Sequence, residues 1–215
     1  MKGTREWGHK LELDRRAAPG LCYVDMYLDT NCAPDDGTRR TMSCGDIMVD
    51  GVAYHCYAKR QAVQSTSSGE AEFCGASSVA MDGPLIWHLM EWLGYEVIPT
   101  LYVDSAAAKG MLLRDGVGAV KHLDVRSLWV QQERHRGLRI RKIPGEQNVA
   151  DLGTKDHSEQ RFKTLRALAC MVDCSMIDAH EELQALAISL STGAAGTSVT
   201  AGSEPISCLL YTSDA

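Results

Sequence analysis

The sequence predicts an α/β fold in which helices cover the faces of a mixed β-sheet. Three short strand-like segments come first along the chain, a tight-turn dipeptide joins the second to the third, and helical and strand-like segments then alternate. The predicted order is βββαβαβα. Successive hairpin strands pair antiparallel and strands separated by a helix pair parallel, so both kinds of pairing are expected.

The first three strands are marked by their residues and by the turns between them. Residues 22–29, CYVDMYLD, mix aromatic, branched and apolar side chains and stop at the polar cluster TNCAPDDG, which predicts a strand ending on Asp29. Residues 41–49 and 52–58 are two further strand candidates. Asp50-Gly51 lies between them and supplies the positive φ values of a tight hairpin turn.

A helix is expected to begin in residues 65–76, STSSGEAEFCGA. Serine N-cap candidates followed by Glu70 and Glu72 are typical of a helix start, because the first N–H groups lack partners and favour negative charge. At roughly 100° per residue the two glutamates point about 200° apart, so only one can face the packed side. The periodicity does not choose between them.

This helix should run towards Met81, with Gly83-Pro84 as a break or kink before LIWHLMEWL continues to Gly94. The elements after it are a short strand, a capped helix, a helical segment, an alternating strand and a final helical region. They are TLYVD at 100–104, AAAKGMLL after the cap Ser105, residues 121–135, LRIRKI at 138–143, and a region from near Asn148 to about Met171 with a break at Gly153.

The length and composition of the chain indicate one domain of ordinary size with extensions. The chain has 215 residues, and its 45% hydrophobic content is enough for a buried core. All 22 Lys and Arg precede Asp173, as do 22 of the 28 Asp and Glu, so the body is electrically balanced. Such a balance neither requires nor forbids a polyanionic partner.

Targeting signals are not evident in the sequence. The N-terminal residues lack the apolar run of a secretory signal, and no segment reaches the 18 or more apolar residues of a membrane span. We therefore expect an intracellular protein that does not insert in a membrane. The eight cysteines are irregularly spaced and are expected to be reduced.

Four carboxylates are predicted where strands end or helices begin. Asp29 and Asp104 end strands, Glu72 lies beside Glu70 in the first helical turns, and Asp151 opens the final helical region. Gathered carboxylates repel one another unless a cation neutralises them, and hard oxygen ligands select Mg²⁺ or Mn²⁺. Taken singly, Asp29 could instead be a turn residue, and Asp104 and Asp151 could be helix-capping acids.

Six stretches of the chain are similar to motifs of one known protein family. The resemblance covers about residues 1–172 and includes STSSGEAEF (family LSSAEAEY), LYVDSAAAKG (IYCDNQSAI), VKHLDVRSLWVQQ (TKHIDIRYHFIRE) and IPGEQNVADLGTK (VPTEEQLADIFTK). LDTNCAPDDGTRRTMSCG is similar to SDADWAGD…RRSTSG, and MKGTREWG to YLKGTRDWG at the end of the reverse-transcriptase connection. Because these motifs occur in the family's order, the chain resembles the ribonuclease H domain of the copia-type retrotransposon Pol polyprotein.

The resemblance implies a ribonuclease H-like fold that cuts the RNA strand of RNA-DNA hybrids. The implied catalytic and metal-binding acids are Asp29, Glu72, Asp104 and Asp151, which makes the second glutamate of EAE the ligand. The implied cofactor is two Mg²⁺ ions, for which Mn²⁺ can substitute, about 3.5 to 4 Å apart at the scissile phosphate. Asp29 would bridge both ions, with Glu72 and Asp104 on one and Asp151 on the other.

The same resemblance implies partners. Lys121, His122 and Arg126 match the family's KH pair and arginine, and are expected to contact the phosphate backbone of the hybrid. The reverse-transcriptase domain of the same polyprotein is the implied protein partner. The implied location is a cytoplasmic particle, the nucleus, or both.

The resemblance also divides the chain into segments. Residues 1–20 would end the reverse-transcriptase connection, 21–172 would form the ribonuclease H-like domain, and 173–207 would be a low-complexity acidic tail expected to be disordered. Residues 208–215, CLLYTSDA, look like a translated sequencing adapter.

This copy departs from the family pattern in specific places. Cys32 and Pro34 replace the tryptophan and glycine after the first acid, and SCG at 43–45 replaces SGY. Proline removes a backbone donor and fixes φ. The alternative to an active enzyme is therefore a catalytically decayed remnant that keeps the fold and at most binds nucleic acid.

Overall fold

The computed structural model describes residues 7–9, 18–31, 41–62, 65–116 and 129–173. All of them belong to one unit that spans Met1–Cys174. In chain order the elements are β1 (Trp7–His9), β2 (Leu21–Asn31), β3 (Met42–Val49), β4 (Val52–Arg60), α1 (Ser68–Trp92), β5 (Glu96–Val103), α2 (Ala106–Leu113), α3 (Trp129–His135), β6 (Arg139–Lys142), α4 (Glu159–Leu168) and β7 (Met171–Asp173).

The main sheet has five strands in the order β4-β3-β2-β5-β6. The pairs β2–β3 and β3–β4 are antiparallel, whereas β2–β5 and β5–β6 are parallel. This confirms the predicted α/β fold class, a five-stranded mixed sheet with three antiparallel strands followed by strands that alternate with helices. The order places β2 at the centre, with Asp29 near its carboxyl end.

The hairpin between β3 and β4 forms at the predicted dipeptide. Asp50 has φ +47° and Gly51 has φ +83°, the left-handed values that let two residues reverse an antiparallel pair. The Asp50 side chain also accepts a 2.8 Å hydrogen bond from the Tyr23 N–H, which fixes the turn against β2.

The main core lies between the sheet and α1. Alternate residues of β2, Val24, Met26 and Leu28, are fully buried and pack with Phe73 and Val79 of the helix. Burial of this apolar area, at about 25 cal/mol per Å², is the largest favourable contribution to folding.

The helix α1 is continuous across Gly83 and Pro84, where the sequence predicted a break or kink. A Cβ on Gly83 would lie 2.5 Å from the Met26 sulfur, so glycine here allows close packing of the helix on β2. Proline lacks only one backbone donor, and burial of Ile86 and Trp87 beyond it keeps the chain helical.

A second, smaller core lies on the other face of the sheet, where the 3₁₀ helix Val149–Gly153 packs. Met48, Val149 and Ala169 are its buried members. A Cβ on Gly153 would lie 2.5 Å from the Cys44 sulfur, so the 3₁₀ helix approaches β3 closely. This packing brings the chain after β6 back to the strand that carries Asp29.

Several boundaries differ from the predictions. Strand β2 continues two residues past Asp29, and β5 begins at Glu96, four residues before the predicted start. The small sheet of β1 and β7 was not predicted, because three-residue strands carry no periodicity. Lys121, His122, Arg126, Cys32 and Pro34 lie outside the described residues. None of the described helices is long and apolar enough to cross a membrane.

Candidate active site

Three of the four predicted acids come together at the carboxyl ends of two parallel strands. Asp29 lies on β2, Asp104 follows the last residue of the adjacent strand β5, and Glu72 lies in the second turn of α1. Each offers a carboxylate oxygen, and these atoms all lie within 4.8 Å of one another. Parallel strands end at the same edge of a sheet, which is why residues far apart in sequence meet there.

The start of α1 decides which glutamate faces the site. Ser67 is the N-cap, and its hydroxyl accepts a hydrogen bond from the N–H of Glu70. The Glu70 carboxylate turns back and accepts hydrogen bonds from the N–H and hydroxyl of Thr66, at 2.9 and 2.6 Å. Glu70 therefore closes the capping arrangement, and Glu72 is the glutamate that joins Asp29 and Asp104.

Glu72 is 6% exposed, and its Oε2 is buried without a hydrogen-bond partner among the described residues. Burial, followed by the negative charges of Asp104 and Asp29, raises the pKa of Glu72 to about 8. A buried carboxylate oxygen without a donor is costly unless a cation or proton satisfies it. The three carboxylates therefore fit a divalent cation by both donor type and unmet charge.

Asp29 is 3% exposed and interacts with the segment after β6. The Thr154 hydroxyl donates a short hydrogen bond to Asp29 Oδ2, and the Lys155 ammonium lies 3.7 Å from the same oxygen. Burial raises the pKa of Asp29, although Thr154 and Lys155 oppose that shift. Asp29 therefore lies between the three-acid cluster and a cationic side chain.

The fourth predicted acid, Asp151, is held by two cations. Lys155 Nζ lies 2.6 Å from its Oδ1, and Arg161 Nη2 lies 2.9 Å from its Oδ2. Burial acts to raise the pKa of Asp151, but the adjacent Lys155 ammonium and the hydrogen bond from Arg161 outweigh it and lower the pKa. Asp151 does not belong to the group of three acids whose oxygens lie within 4.8 Å of one another.

The backbone that carries Asp151 is tied to the central strand. Asn148 is fully buried, its side-chain amide donates a 2.7 Å hydrogen bond to the Leu28 carbonyl, and its side-chain oxygen accepts from the Ala150 N–H. Asn31 Nδ2 donates to the Thr154 carbonyl at 3.1 Å. These bonds fix the 3₁₀ helix beside β2 and so place Asp151 near Asp29.

An open cleft of about 480 Å³ lies beside the acids. It is lined by Asp104, Asp151, Lys155 and Arg161, together with residues 144–146. The lining carries three carboxylates, those of Asp104, Glu146 and Asp151, and two cationic side chains, so it is polar and suits a charged ligand more than an apolar one.

Sequence reasoning missed four residues of this region: Asn148 as a bridge, and Thr154, Lys155 and Arg161 as partners of the acids. Thr154 and Lys155 stand in the quoted motif GTK, which could have drawn attention to them. Arg161 lies one turn into α4, and no pattern in the sequence indicated that it reaches Asp151.

Solved structures similar to this chain are ribonuclease H domains. A ribonuclease H1 isolated from compost by a metagenomic approach shares 18% identity with a TM-score of 0.41, over 61% of this chain and 91% of that chain. The N-terminal ribonuclease H domain of a Mycobacterium tuberculosis protein shares 17% identity with a TM-score of 0.41, over 68% and 98%.

A viral structure is similar as well. The protease-reverse transcriptase of prototype foamy virus shares 11% identity with a TM-score of 0.40, over 73% of this chain and 21% of that chain. No protein-family model and no curated protein matches the sequence. Because each TM-score is below 0.5, the chemistry of the site has to be derived from the chain's own residues.

Proposed function

We propose that this protein is a divalent-metal-dependent ribonuclease H that hydrolyses the RNA strand of RNA-DNA hybrids. The observation that carries the proposal is the cluster of Asp29, Glu72 and Asp104, in which the buried Glu72 Oε2 has no hydrogen-bond partner among the described residues. A buried carboxylate with a purely structural role would be expected to accept hydrogen bonds. Glu70 does so from Thr66, four residues earlier in the chain.

Two Mg²⁺ ions are the proposed cofactor, and Mn²⁺ is the proposed substitute. Asp29, Glu72 and Asp104 would hold one ion, and Asp29 with Asp151 would hold the other. Bound ions of this kind supply a hydroxide equivalent from water at neutral pH and neutralise charge on phosphate oxygens. The protein's own contribution is to fix the oxygens: Thr154 orients Asp29, and Asn148 positions the backbone before Asp151.

The retrotransposon setting is proposed from the sequence resemblance. It includes the copia-type Pol polyprotein, reverse transcription as the process served, and the reverse-transcriptase domain of the same polyprotein as partner. Lys121, His122 and Arg126 are the proposed contacts to the hybrid. Contacts of this type follow backbone geometry and 2′-hydroxyls rather than base sequence, so the enzyme should cut many sequences.

A second candidate is a remnant that keeps the fold and binds nucleic acid without cutting it. The observation that favours it is the pairing of both Asp151 oxygens with Lys155 and Arg161, which leaves the fourth acid already neutralised. This candidate predicts hybrid binding, or none, with no metal-dependent turnover.

The test is cleavage of a labelled RNA-DNA hybrid by purified protein, with Mg²⁺, with Mn²⁺ and with EDTA. Wild type should cut the hybrid but not duplex DNA, and Glu72→Gln should lose at least about 100-fold in rate, since a misplaced or missing electrostatic group at the reacting phosphate costs on that scale.

Glu70→Gln is the matched control. It makes the same isosteric change two residues away, in a carboxylate that hydrogen-bonds Thr66 rather than facing the acids. Wild type and Glu70→Gln should cut at comparable rates. Equal, metal-independent rates for wild type, Asp29→Asn and Glu72→Gln would remove the enzyme proposal and support the remnant.

A further inference from the structure

Lys155 places a positive charge beside two of the candidate site's carboxylates. Its ammonium lies 2.6 Å from Asp151 Oδ1 and 3.7 Å from Asp29 Oδ2. The side chains of these two acids are 11% and 4% exposed, so their charge is poorly solvated. An ammonium at these distances compensates for lost hydration and occupies the space between the two carboxylates.

Arg161 also pairs with Asp151 but is fixed in a different way. Besides the 2.9 Å contact with Asp151 Oδ2, its guanidinium donates hydrogen bonds to the carbonyls of Glu146 and Gly145, at 2.5 and 2.8 Å. The rigid guanidinium fork is therefore anchored to the backbone. Lys155, by contrast, is 47% exposed on its side chain and ends a flexible four-carbon stem, so it can leave without disturbing the backbone.

Asp29 lies between two candidate cation positions, and these two positions differ in charge. On one side Asp29 meets Glu72 and Asp104, where the carboxylate oxygens lie within 4.8 Å and Glu72 Oε2 lacks a hydrogen-bond partner among the described residues. On the other side Asp29 meets Asp151, with Lys155 in contact with both. Among the described residues neither Glu72 nor Asp104 of the first position forms an ion pair, whereas at the second position Lys155 pairs with both acids.

We propose that Lys155 is the resident counter-ion of the Asp29–Asp151 position, so that a divalent cation enters there only by displacing the Lys155 ammonium. This inference rests on the proposed metal-dependent function and adds an order of binding to it. One ion binds tightly at Asp29, Glu72 and Asp104. The second binds weakly, because it competes with a tethered cation that is always present.

The test measures Mn²⁺ binding to the full chain without nucleic acid. The two readouts are electron paramagnetic resonance of free Mn²⁺ and calorimetry. Wild type should show one tight and one weak ion. Lys155→Met keeps an unbranched apolar side chain and removes its charge, and should tighten the binding of the weak ion about five-fold, the scale of one partly exposed ion pair. The tight ion should change much less.

Lys163→Met is the matched control. Lys163 is 55% exposed on its side chain and lies 2.6 Å from Glu159, so the change removes the same charge from a similar ion pair on α4. It should leave both affinities at the wild-type values. Lys155→Arg, which keeps the charge, should also leave the weak ion weak. Asp151→Asn should abolish the weak ion alone, and Glu72→Gln the tight one.

The outcomes separate this inference from the proposed function. If Lys155→Met and wild type bind Mn²⁺ with the same two affinities while Glu72→Gln loses the tight ion, Lys155 does not compete and the inference is overturned although the metal site stands. If wild type binds no Mn²⁺ and cuts no hybrid, the proposed function itself fails. Circular dichroism and a thermal melt of each variant would show that every protein compared is folded.

Discussion

The side-chain amide of Asn148 donates a 2.7 Å hydrogen bond to the main-chain carbonyl of Leu28, 120 residues earlier in the chain. Leu28 precedes Asp29, and Asn148 precedes the 3₁₀ helix that carries Asp151. One buried amide thus links the backbones that present two of the candidate acids. The side-chain oxygen of Asn148 accepts a hydrogen bond from the Ala150 N–H, so both polar groups of the amide are hydrogen-bonded.

Asn148→Ala should therefore destabilise the protein by about 2 to 3 kcal/mol, because it removes two hydrogen bonds and leaves the buried Leu28 carbonyl without a donor. Asn148→Asp should be similarly harmful, since a carboxylate cannot donate to that carbonyl and would be buried. Urea unfolding would measure both. Thr164→Ala on the exposed side of α4 is the control and should change stability by less than about 0.5 kcal/mol. An equally small effect of Asn148→Ala would contradict the bridging role.

Glu70 should matter for stability rather than for chemistry. Glu70 is 1% exposed, and its carboxylate caps the start of α1 through Thr66. Glu70→Ala should cost about 1 to 2 kcal/mol in the free energy of unfolding, the range for a lost capping interaction with buried partners. Chemical denaturation would measure this. Glu70→Gln, which keeps an acceptor oxygen, should cost less, and equal losses for the two variants would argue against the hydrogen bonds as the cause.

The ion-free protein should lose stability as the pH rises. The pKa of Glu72 is about 8 in the folded protein against an ordinary value of 4.5, so between these values the folded state binds more protons than the unfolded state. Stability then falls with pH, with a slope approaching about 1.4 kcal/mol per pH unit from this group. Urea unfolding in EDTA from pH 5 to pH 8 would measure the slope.

Glu72→Gln supplies the control for this pH dependence. It removes the titrating group, so its stability should fall less steeply than that of wild type between pH 5 and pH 8. Identical slopes would show that Glu72 does not hold a proton in the ion-free fold. Mn²⁺ should stabilise wild type most at the upper end of this range, where protons compete least for the carboxylates.

Close packing at Gly153 should be detectable by a double-mutant cycle. A Cβ at this position would lie 2.5 Å from Cys44 Sγ and 3.2 Å from Cys44 Cβ, and Cys44 is 5% exposed. Gly153→Ala should destabilise by about 1 to 3 kcal/mol through overpacking. Cys44→Ala should recover part of that loss in the double variant, giving a coupling energy of at least about 0.5 kcal/mol. Additive effects would mean that the two positions do not touch.

The sequence predicted the sheet well because its strands carry strong local signals. The strand-forming residue types of β2 and the Asp50-Gly51 turn are local features of the chain, so both elements could be inferred without a fold. The continuity of α1 through Pro84 could not, since it depends on tertiary burial of Ile86 and Trp87. Local propensity is overridden wherever packing contributes more free energy.

The candidate site could likewise be predicted from the sequence only in part. Residue types and motif order indicated Asp29, Glu72 and Asp104, which the fold brings together. Periodicity alone left Glu70 and Glu72 open, because the deciding contact is a carboxylate turning back to Thr66. Of the two cations on Asp151, Lys155 lies four residues later, within the quoted GTK motif, whereas Arg161 comes from α4 and no pattern in the sequence indicated its contact with Asp151. The catalytic and metal-binding roles of Asp29, Glu72, Asp104 and Asp151 stay predictions, as do the nucleic-acid contacts of Lys121, His122 and Arg126.

The small antiparallel sheet has a consequence for modularity. Trp7–His9 of β1 pairs with Met171–Asp173 of β7, so the chain enters and leaves this unit side by side. A domain whose two ends lie close together can be inserted into a loop of a longer chain with little strain on the flanking structure. Neighbouring domains fused before Trp7 and after Asp173 would therefore start from adjacent strands of one small sheet.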